Sequence, residues 1–565
     1  MGSAYLDKNR RQASGKPEKA VPRHGRLRKA AIVQTLASLI WIPQAAILAT
    51  AVGRIANGGG FNDVLWLAPP IATLGIVKSC LEAAGGRIAF WAARAELTAR
   101  RERAIAALSR RSPIDSARPS SGEAASVIGE QAEMIVPYLS RFQPARFKAS
   151  AVPLAILACV VPISWLAAFI LLFAMPLIPV FMALIGWRAQ AASEKQLSAT
   201  GGLNGFLLDR LRGMATIRSL NAVDATATRL RADAESLKAR TMAVLKIAFL
   251  SSAVLELFAA LGVALVAVYI GFSLLGEIRF GAWTSGLDLT TGLFVLLLAP
   301  AFFEPLRELS AVWHDRAAGE AAIKAIDALN ADGLMLPKGT HQSADHPSAP
   351  AGAIRMQNVG FRYSMETDAT IDAFDLNIRP GEHVALLGAS GSGKSTLLAL
   401  IAGQASCETG SVTIDGQPAN PHLQTKIAWV GQKPHVFAGT IAGNVLLGRR
   451  SLTRQDAASA LDLAKLARFA RNYKRPLGDG GTGLSGGEVL RLAIARASVN
   501  KDACIVLADE PTAHLDAETA SEITESLLIL AKGRTLVVAT HDPRLAARMD
   551  RTIVLDPETV REAAE

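Results

Sequence analysis

Gly388-Ala389-Ser390-Gly391-Ser392-Gly393-Lys394-Ser395 fits the pattern GxxxxGK[ST], and its flanks supply the structural context that the pattern needs. Upstream, a turn at Pro380-Gly381 leads into His383 to Leu387, a short apolar run that reads as a buried strand. Downstream, Thr396 stands beside the motif and a leucine-rich helical pattern follows. Glycines let backbone N–H groups curl around phosphate oxygens, and the next helix turns its positive end toward them. Gly388, Ser390, Gly391 and Gly393 therefore shape a phosphate cradle, with Thr396 at its edge. Lys394 is placed to pair with β- and γ-phosphates and Ser395 to hold Mg²⁺. ATP with Mg²⁺ is the expected ligand pair.

Working toward the C-terminus, Ile505-Val506-Leu507-Ala508-Asp509-Glu510 is an apolar strand that ends in two carboxylates. After a phosphate cradle in the same domain, this is a Walker-B arrangement. Asp509 enters the Mg²⁺ shell, and Glu510 orients or deprotonates the attacking water. Between the two lies Leu484-Ser485-Gly486-Gly487-Glu488, about twenty residues before the strand and at the start of a helix. With this element the region from about Ile354 onward resembles the ABC ATPases, whose hallmark is an LSGGQ-type sequence.

That resemblance implies roles for further residues. Tyr363 corresponds to the aromatic that stacks on adenine, and Gln432 to the glutamine that touches Mg²⁺ and senses the membrane domain. Asp516 matches the D-loop aspartate, and His541 the switch histidine at the γ-phosphate. Glu488 stands where Gln is commoner, and His514 where a small residue is usual; neither removes a catalytic group. The signature residues Ser485, Gly486 and Gly487 face a partner's nucleotide in this family. A chain with one ATPase domain therefore requires a partner.

Toward the N-terminus the composition changes. Half of the 565 residues are hydrophobic and mean hydropathy is +0.27, yet 19% are charged, so one apolar part and one soluble α/β part are expected. A membrane helix needs roughly 20 apolar residues. Six candidates precede residue 305: Ala30 to Gly53, Phe61 past Leu81, two within Ala151 to Trp187 split at Pro162-Ile163-Ser164-Trp165, Ala248 to Leu275, and Leu287 to Phe303. Connectors after the second and fourth are long and helical in pattern, so helices 2 to 5 should extend into the cytoplasm, with docking turns near Ser112 to Gly122 and Asn204 to Leu220. The fold class is thus an all-α six-helix membrane domain fused to a cytoplasmic α/β P-loop ATPase domain. The boundaries read as a basic cytoplasmic tail (1–29), the transmembrane domain (30–330), a linker (331–350) and the nucleotide-binding domain (351–565).

The net charge of +11 is concentrated in the N-terminal tail and the long connectors, the positive-inside bias of a membrane protein rather than a nucleic-acid footprint. Cys80, Cys159, Cys407 and Cys504 have no metal-ligand spacing and read as small apolar residues.

Helices first and ATPase last resembles the exporter architecture. Four membrane-part stretches, Pro176 to Gln196, Gly205 to Leu220, Thr241 to Glu277 and Leu287 to Leu309, together with LSGGE and Asp509 to Thr519, resemble the CydD subunit family. The resemblance implies a heterodimer with a CydC-like half-transporter in the bilayer of a bacterial inner membrane, N-terminus and ATPase domain cytoplasmic. It implies export of cysteine and glutathione to the periplasm in support of cytochrome bd and c-type cytochrome assembly. Haem as cargo, or as regulator of an ATPase that senses and does not transport, are the alternatives.

Ionisable residues inside membrane helices are costly, and they mark functional sites by default. Lys78, Glu82 and Arg87 on helix 2, Glu256 on helix 5, and Glu304 and Arg307 at the end of helix 6 are the cargo-cavity candidates. Lys78 and Glu82, four apart, can instead pair with each other. Haem wants an axial ligand such as His, Met, Cys or Tyr. No histidine lies in the six helices; His314 just past helix 6, Tyr269, a sulfur ligand or a partner residue would have to serve.

Overall fold

The computed structural model describes residues 23–175, 210, 213–283, 286–330, 333–337, 352–363, 369–449, 451–470, 472–481 and 483–555. Residues 1–22 of the N-terminal tail, the fourth membrane helix beyond Met175, the first part of the second docking turn and most of the linker lie outside the described residues. The chain divides into two compact units, Met1–Ala104 with Ser121–Leu329, and Ile105–Ser120 with Asn330–Glu565.

The first unit is helical. Its main elements are α1 (Arg23–Leu39), α2 (Trp41–Ala56), α3 (Ala68–Arg110, running on into the second unit), α4 (Gln143–Val160), α5 (Val223–Leu274), α6 (Leu289–Ala311) and α7 (Trp313–Ala328). Among the described residues, four helical stretches are long and apolar enough to cross a membrane: Gly25–Ala56, Phe61–Arg110, Glu256–Leu274 and Leu289–Ala328. At ~1.5 Å per residue, α3 is roughly 65 Å long and α5 nearly 80 Å, well beyond a hydrocarbon core of about 30 Å. The apolar stretch from Ala151 breaks where expected. α4 ends at Val160, a turn follows, and helix resumes at Trp165. Ser164 fixes that turn: its hydroxyl donates to the Gly281 carbonyl at 2.7 Å and lies 3.0 Å from the Tyr269 hydroxyl.

The core of this unit centres on Phe302 and Phe303, fully buried and edge to face at 5.0 Å. α5 can approach them because residue 262 is glycine; a Cβ there would lie 2.5 Å from the Phe303 ring.

Among its described residues the second unit has two large sheets and a two-stranded one that pairs Gly439–Thr440 with Pro476–Leu477. Strands β1 (Ile354–Phe361), β2 (Ile371–Ile378), β4 (Thr409–Ile414) and β5 (Gln417–Pro418) form an antiparallel sheet in the order β2-β1-β4-β5. Strands β3 (His383–Gly388), β6 (Ile427–Val430), β7 (Ile505–Asp509), β8 (Thr535–Thr540) and β9 (Arg551–Leu555) form a parallel sheet in the order β9-β3-β8-β7-β6. β7 and β8 are buried at every position, which is why both read as unbroken apolar runs. Three helices matter for the site: α8 (Lys394–Ile401), α9 (Gly486–Ser498) and α10 (Ala517–Ala531).

The turn after α3 is part of this second unit. Ser112 N–H donates to the Leu334 carbonyl and Leu336 N–H to the Arg110 carbonyl, both at 2.8 Å. Arg111 and Asp115, both buried, pair beneath at 2.6 Å, and Ile114 packs on the core that holds β1 and β3.

Candidate active site

The carboxyl ends of the parallel strands gather the chemistry, as open α/β sheets do. The phosphate cradle follows β3, Asp509 ends β7, Gln432 follows β6 and His541 follows β8. Gly391 and Gly393 adopt φ values of 88° and 84°, which only glycine takes without strain. A Cβ on Gly391 would meet open space, so the cradle is clear for a ligand. The Ser392 hydroxyl is buried without a protein partner.

Lys394, 4% exposed, folds back over the loop; its ammonium donates to the carbonyls of Gly388 (2.8 Å) and Ala389 (2.6 Å). The Ser395 hydroxyl donates to Asp509 Oδ1 at 3.0 Å, so the two expected Mg²⁺ ligands already meet. Thr396 and Tyr363 share a hydroxyl–hydroxyl bond of 2.8 Å, which anchors the tyrosine at the cradle's edge.

Asp509 is buried, and desolvation pushes its carboxyl above the ordinary range. The neighbouring Glu510 charge adds to the rise, while Ser395 and Lys394 oppose it. A divalent cation would supply the missing positive charge. The orphaned Ser392 hydroxyl, the open cradle and the cation-deficient Asp509 together fit Mg²⁺–ATP.

Glu510 adopts φ 45°, a left-handed conformation that costs a non-glycine residue roughly 1–2 kcal/mol. Its N–H is tied to the Ala539 carbonyl at 2.9 Å, on the neighbouring strand. The turned side chain accepts from Gln432 Nε2 at 2.9 Å and lies 3.6 Å from His541 Nδ1. Gln432 and His541, from two further strand ends, thus converge on the Glu510 carboxylate.

The signature residues stand apart from this cluster. Ser485 caps α9: its hydroxyl accepts from Glu488 N–H at 3.3 Å, and Glu488 Oε2 accepts from Ser485 N–H at 2.9 Å. Glu488 also pairs with Arg468, so the departure from glutamine keeps the capping box, which either residue can close, and adds a salt bridge. Gly486 is exposed at this helix start, and Gly487 is buried because Thr519 of α10 leaves no room for a Cβ, 2.8 Å away. Asp516 caps α10 through Thr519 N–H, a bond that holds its carboxyl below the usual range. His514 is exposed at φ 61°; nothing else in the structure accounts for it.

One element had no signal in the sequence. Arg496, near the end of α9, and Asn444, in the helix Ile441–Leu446, form a buried knot with the segment after Gln432.

The charged residues of the membrane unit fall into separate groups. Arg307 pairs with Glu256 at 3.2 Å and with Glu304 at 4.0 Å, while its Nε is buried without a partner. Lys78 lies 5.8 Å over the ring of Trp41 rather than against Glu82. Glu82 and Arg87 are exposed on α3. His314 is held to Asp315 at 3.3 Å.

Comparison with known proteins follows this division. The family described as ABC transporter transmembrane region matches residues 30–297, and the ABC transporter family matches residues 371–513. A protein of Haemophilus influenzae named glutathione/L-cysteine transport system ATP-binding/permease protein CydD is 37% identical over 77% of this chain and 74% of its own length. Its namesake in Escherichia coli is also 37% identical, over 74% of this chain and 72% of its own. The similarly named CydC protein of Bacillus subtilis is 30% identical over 94% and 92%. A solved bacterial Atm1-family ABC exporter with ATP bound superposes with a TM-score of 0.70 over 95% of this chain and 94% of its own, at 22% identity, which speaks for the fold.

Proposed function

The chain belongs to the CydD family of ABC transporters, a multi-pass membrane transport ATPase, and from that premise we propose that it is one half of a heterodimeric exporter of thiol reductants. Its partner is a CydC-like half-transporter, and the pair moves cysteine and glutathione from cytoplasm to periplasm across a bacterial inner membrane. Cytochrome bd and c-type cytochrome assembly is the process served. The observation that supports the cargo is the name carried by relatives sharing 37% identity over about three quarters of the chain. The tail, membrane domain, linker and nucleotide-binding domain divide near residues 29, 330 and 350, with the tail and the nucleotide-binding domain cytoplasmic.

The chemistry rests on the convergence at Glu510. Gly388, Ser390, Gly391 and Gly393 cradle the phosphates with backbone N–H groups, Thr396 borders them, and Tyr363 meets the adenine. Lys394 leaves its loop carbonyls for the β- and γ-phosphates. Ser395, Asp509 and Gln432 would hold Mg²⁺, which neutralises charge on the phosphate oxygens. Glu510 accepts the proton of the attacking water, and Gln432 and His541 hold its carboxylate in place. His541 also reaches the γ-phosphate. Ser485, Gly486 and Gly487, with Asp516 beside them, serve the ATP bound to the partner.

Cargo would be drawn through the membrane unit, where Lys78, Glu82, Arg87, Glu256, Glu304 and Arg307 are the charged residues available to it. Haem is the weaker reading. His314 is engaged by Asp315, and the Tyr269 hydroxyl is engaged by Ser164. The deciding experiment uses inside-out vesicles carrying the chain with its partner. ATP-dependent accumulation of labelled cysteine or glutathione, abolished by Glu510→Gln, is expected. Accumulation of haem alone, or a haem-dependent ATPase rate without accumulation of anything, would replace the thiol reading.

A further inference from the structure

A cavity of about 560 Å³ opens in the membrane unit between the start of α1, the far part of α3, the start of α4 and α7. Its height in the bilayer follows from the chain. Arg28 stands two residues before the first apolar span at Ala30, and Arg146 stands five before the third at Ala151. α1 packs along α4, so the two exposed guanidinium groups line one cavity just outside the hydrocarbon region.

The floor is built rather than incidental. Tyr138–Phe142 forms a π-helical turn, a rare widening of the helix that recurs at functional sites. Tyr138 stacks on Phe142, and Trp313 of α7 meets Phe142 edge-on. α7 clamps the turn through Gly319, where a Cβ would lie 2.3 Å from Tyr138 Cβ. On the α3 side, Arg100 is neutralised by Glu96 (2.9 Å) and Asp327 (3.0 Å), which leaves Arg28 and Arg146 as the cationic pair. Toward the bilayer the same two helices expose apolar side chains, Ile32 and Leu36 on α1 and Phe147 and Leu154 on α4, of which Phe147 also lines the cavity.

We propose that this cavity binds the phosphate headgroup of an anionic phospholipid from the cytoplasmic leaflet, with Arg28 and Arg146 on the phosphate and the acyl chains along the adjoining apolar side chains. Two cations at the mouth select a negative headgroup over a zwitterionic one, and the cytoplasmic leaflet is where anionic lipid meets basic pockets between helices. The cavity's place at the edge of the hydrocarbon region favours a lipid headgroup, whose acyl chains continue into the bilayer, over a free phosphate.

The test is lipid retention by the full chain purified with its partner and relipidated with phosphatidylglycerol or phosphatidylcholine, read by native mass spectrometry. Phosphatidylglycerol should be retained preferentially, and Arg28→Gln with Arg146→Gln should weaken that retention about tenfold. Arg26→Gln with Lys29→Gln removes the same charge from the same end of α1 outside the cavity and should leave retention intact. Ser150→Trp, which fills the cavity without touching a charge, should abolish it. Equal retention of both lipids, loss in the Arg26/Lys29 control, or retention unchanged in Ser150→Trp would overturn the proposal. Displacement by glycerol 3-phosphate at the lipid's own concentration would overturn the lipid in favour of a soluble phosphate.

Discussion

Arg496 Nε donates to the Asn444 carbonyl at 2.8 Å while a second guanidinium nitrogen donates to the same residue's Oδ1. The third nitrogen reaches the His435 carbonyl. Asn444 in turn brackets Phe437, accepting from its N–H at 2.9 Å and donating to its carbonyl at 2.8 Å. One end of this knot is α9, which Ser485 caps; the other is the segment that starts at Gln432. In the heterodimer proposed above, this would tie the helix that serves one ATP site to the loop that serves the other.

Asn444→Ala should therefore do more than remove a side chain. It leaves the Phe437 N–H and one Arg496 nitrogen without partners in a buried setting, a loss of roughly 2–3 kcal/mol. Denaturant unfolding of the nucleotide-binding domain within the full chain measures this. Arg496→Lys keeps the charge but loses the three-pronged fork. In the assembled transporter it should lower kcat for ATP about tenfold with KM for ATP little changed, because the cradle itself is untouched. A KM effect with normal kcat would speak against a positioning role.

Asp509 predicts a conflict between stability and turnover. Its carboxyl is raised by burial, so without cation the charged form is a liability that grows as pH rises through the folded-state value. Below the unfolded value of about 3.9 the group is protonated in both states and the penalty vanishes. Asp509→Asn should raise the Tm of the nucleotide-free protein by a few degrees at neutral pH, with the gain shrinking toward acid, and should abolish Mg²⁺-dependent ATP hydrolysis. An unchanged or lower Tm at neutral pH would contradict the burial argument.

How much of this was legible beforehand depended on whether a residue's role is local. The cradle, the β7 carboxylates and the α9 cap sit in short contiguous patterns, and backbone geometry makes each pattern readable. Gln432, Glu510 and His541 were each found by their place in an ordered series, but their meeting depends on strand order β8-β7-β6, which no local pattern encodes. Glu488 was a visible departure whose reason was hidden, since its partner Arg468 is twenty residues away. Arg496 and Asn444 lie 52 residues apart and belong to no local pattern, so nothing in the sequence marks them as partners. The break at Ser164 was signalled by Pro162, whereas the bond that fixes it comes from Gly281, after the next described membrane helix.

The pair Arg111–Asp115 supplies a last prediction, because both side chains are withdrawn from solvent. Both side chains are 6% exposed, and Gly333 lies so close that a Cβ there would fall 2.5 Å from an Arg111 nitrogen and an Asp115 oxygen. Burial alone would raise the Asp115 carboxyl, but the Arg111 bond and charge, with the Ala117 and Leu334 backbone, bring it below the ordinary value. A lowered carboxylate contributes stability that is present above its unfolded value near pH 3.9 and is lost as pH falls through the folded one. Asp115→Asn should thus destabilise at neutral pH by about 3 kcal/mol, since it strands a buried guanidinium, and the difference from wild type should narrow in acid. Gly333→Ala forces the same pair apart sterically and should destabilise at every pH. The two variants are told apart by following Tm from neutral pH to about pH 3; parallel curves for both would show that the ion pair contributes nothing beyond packing.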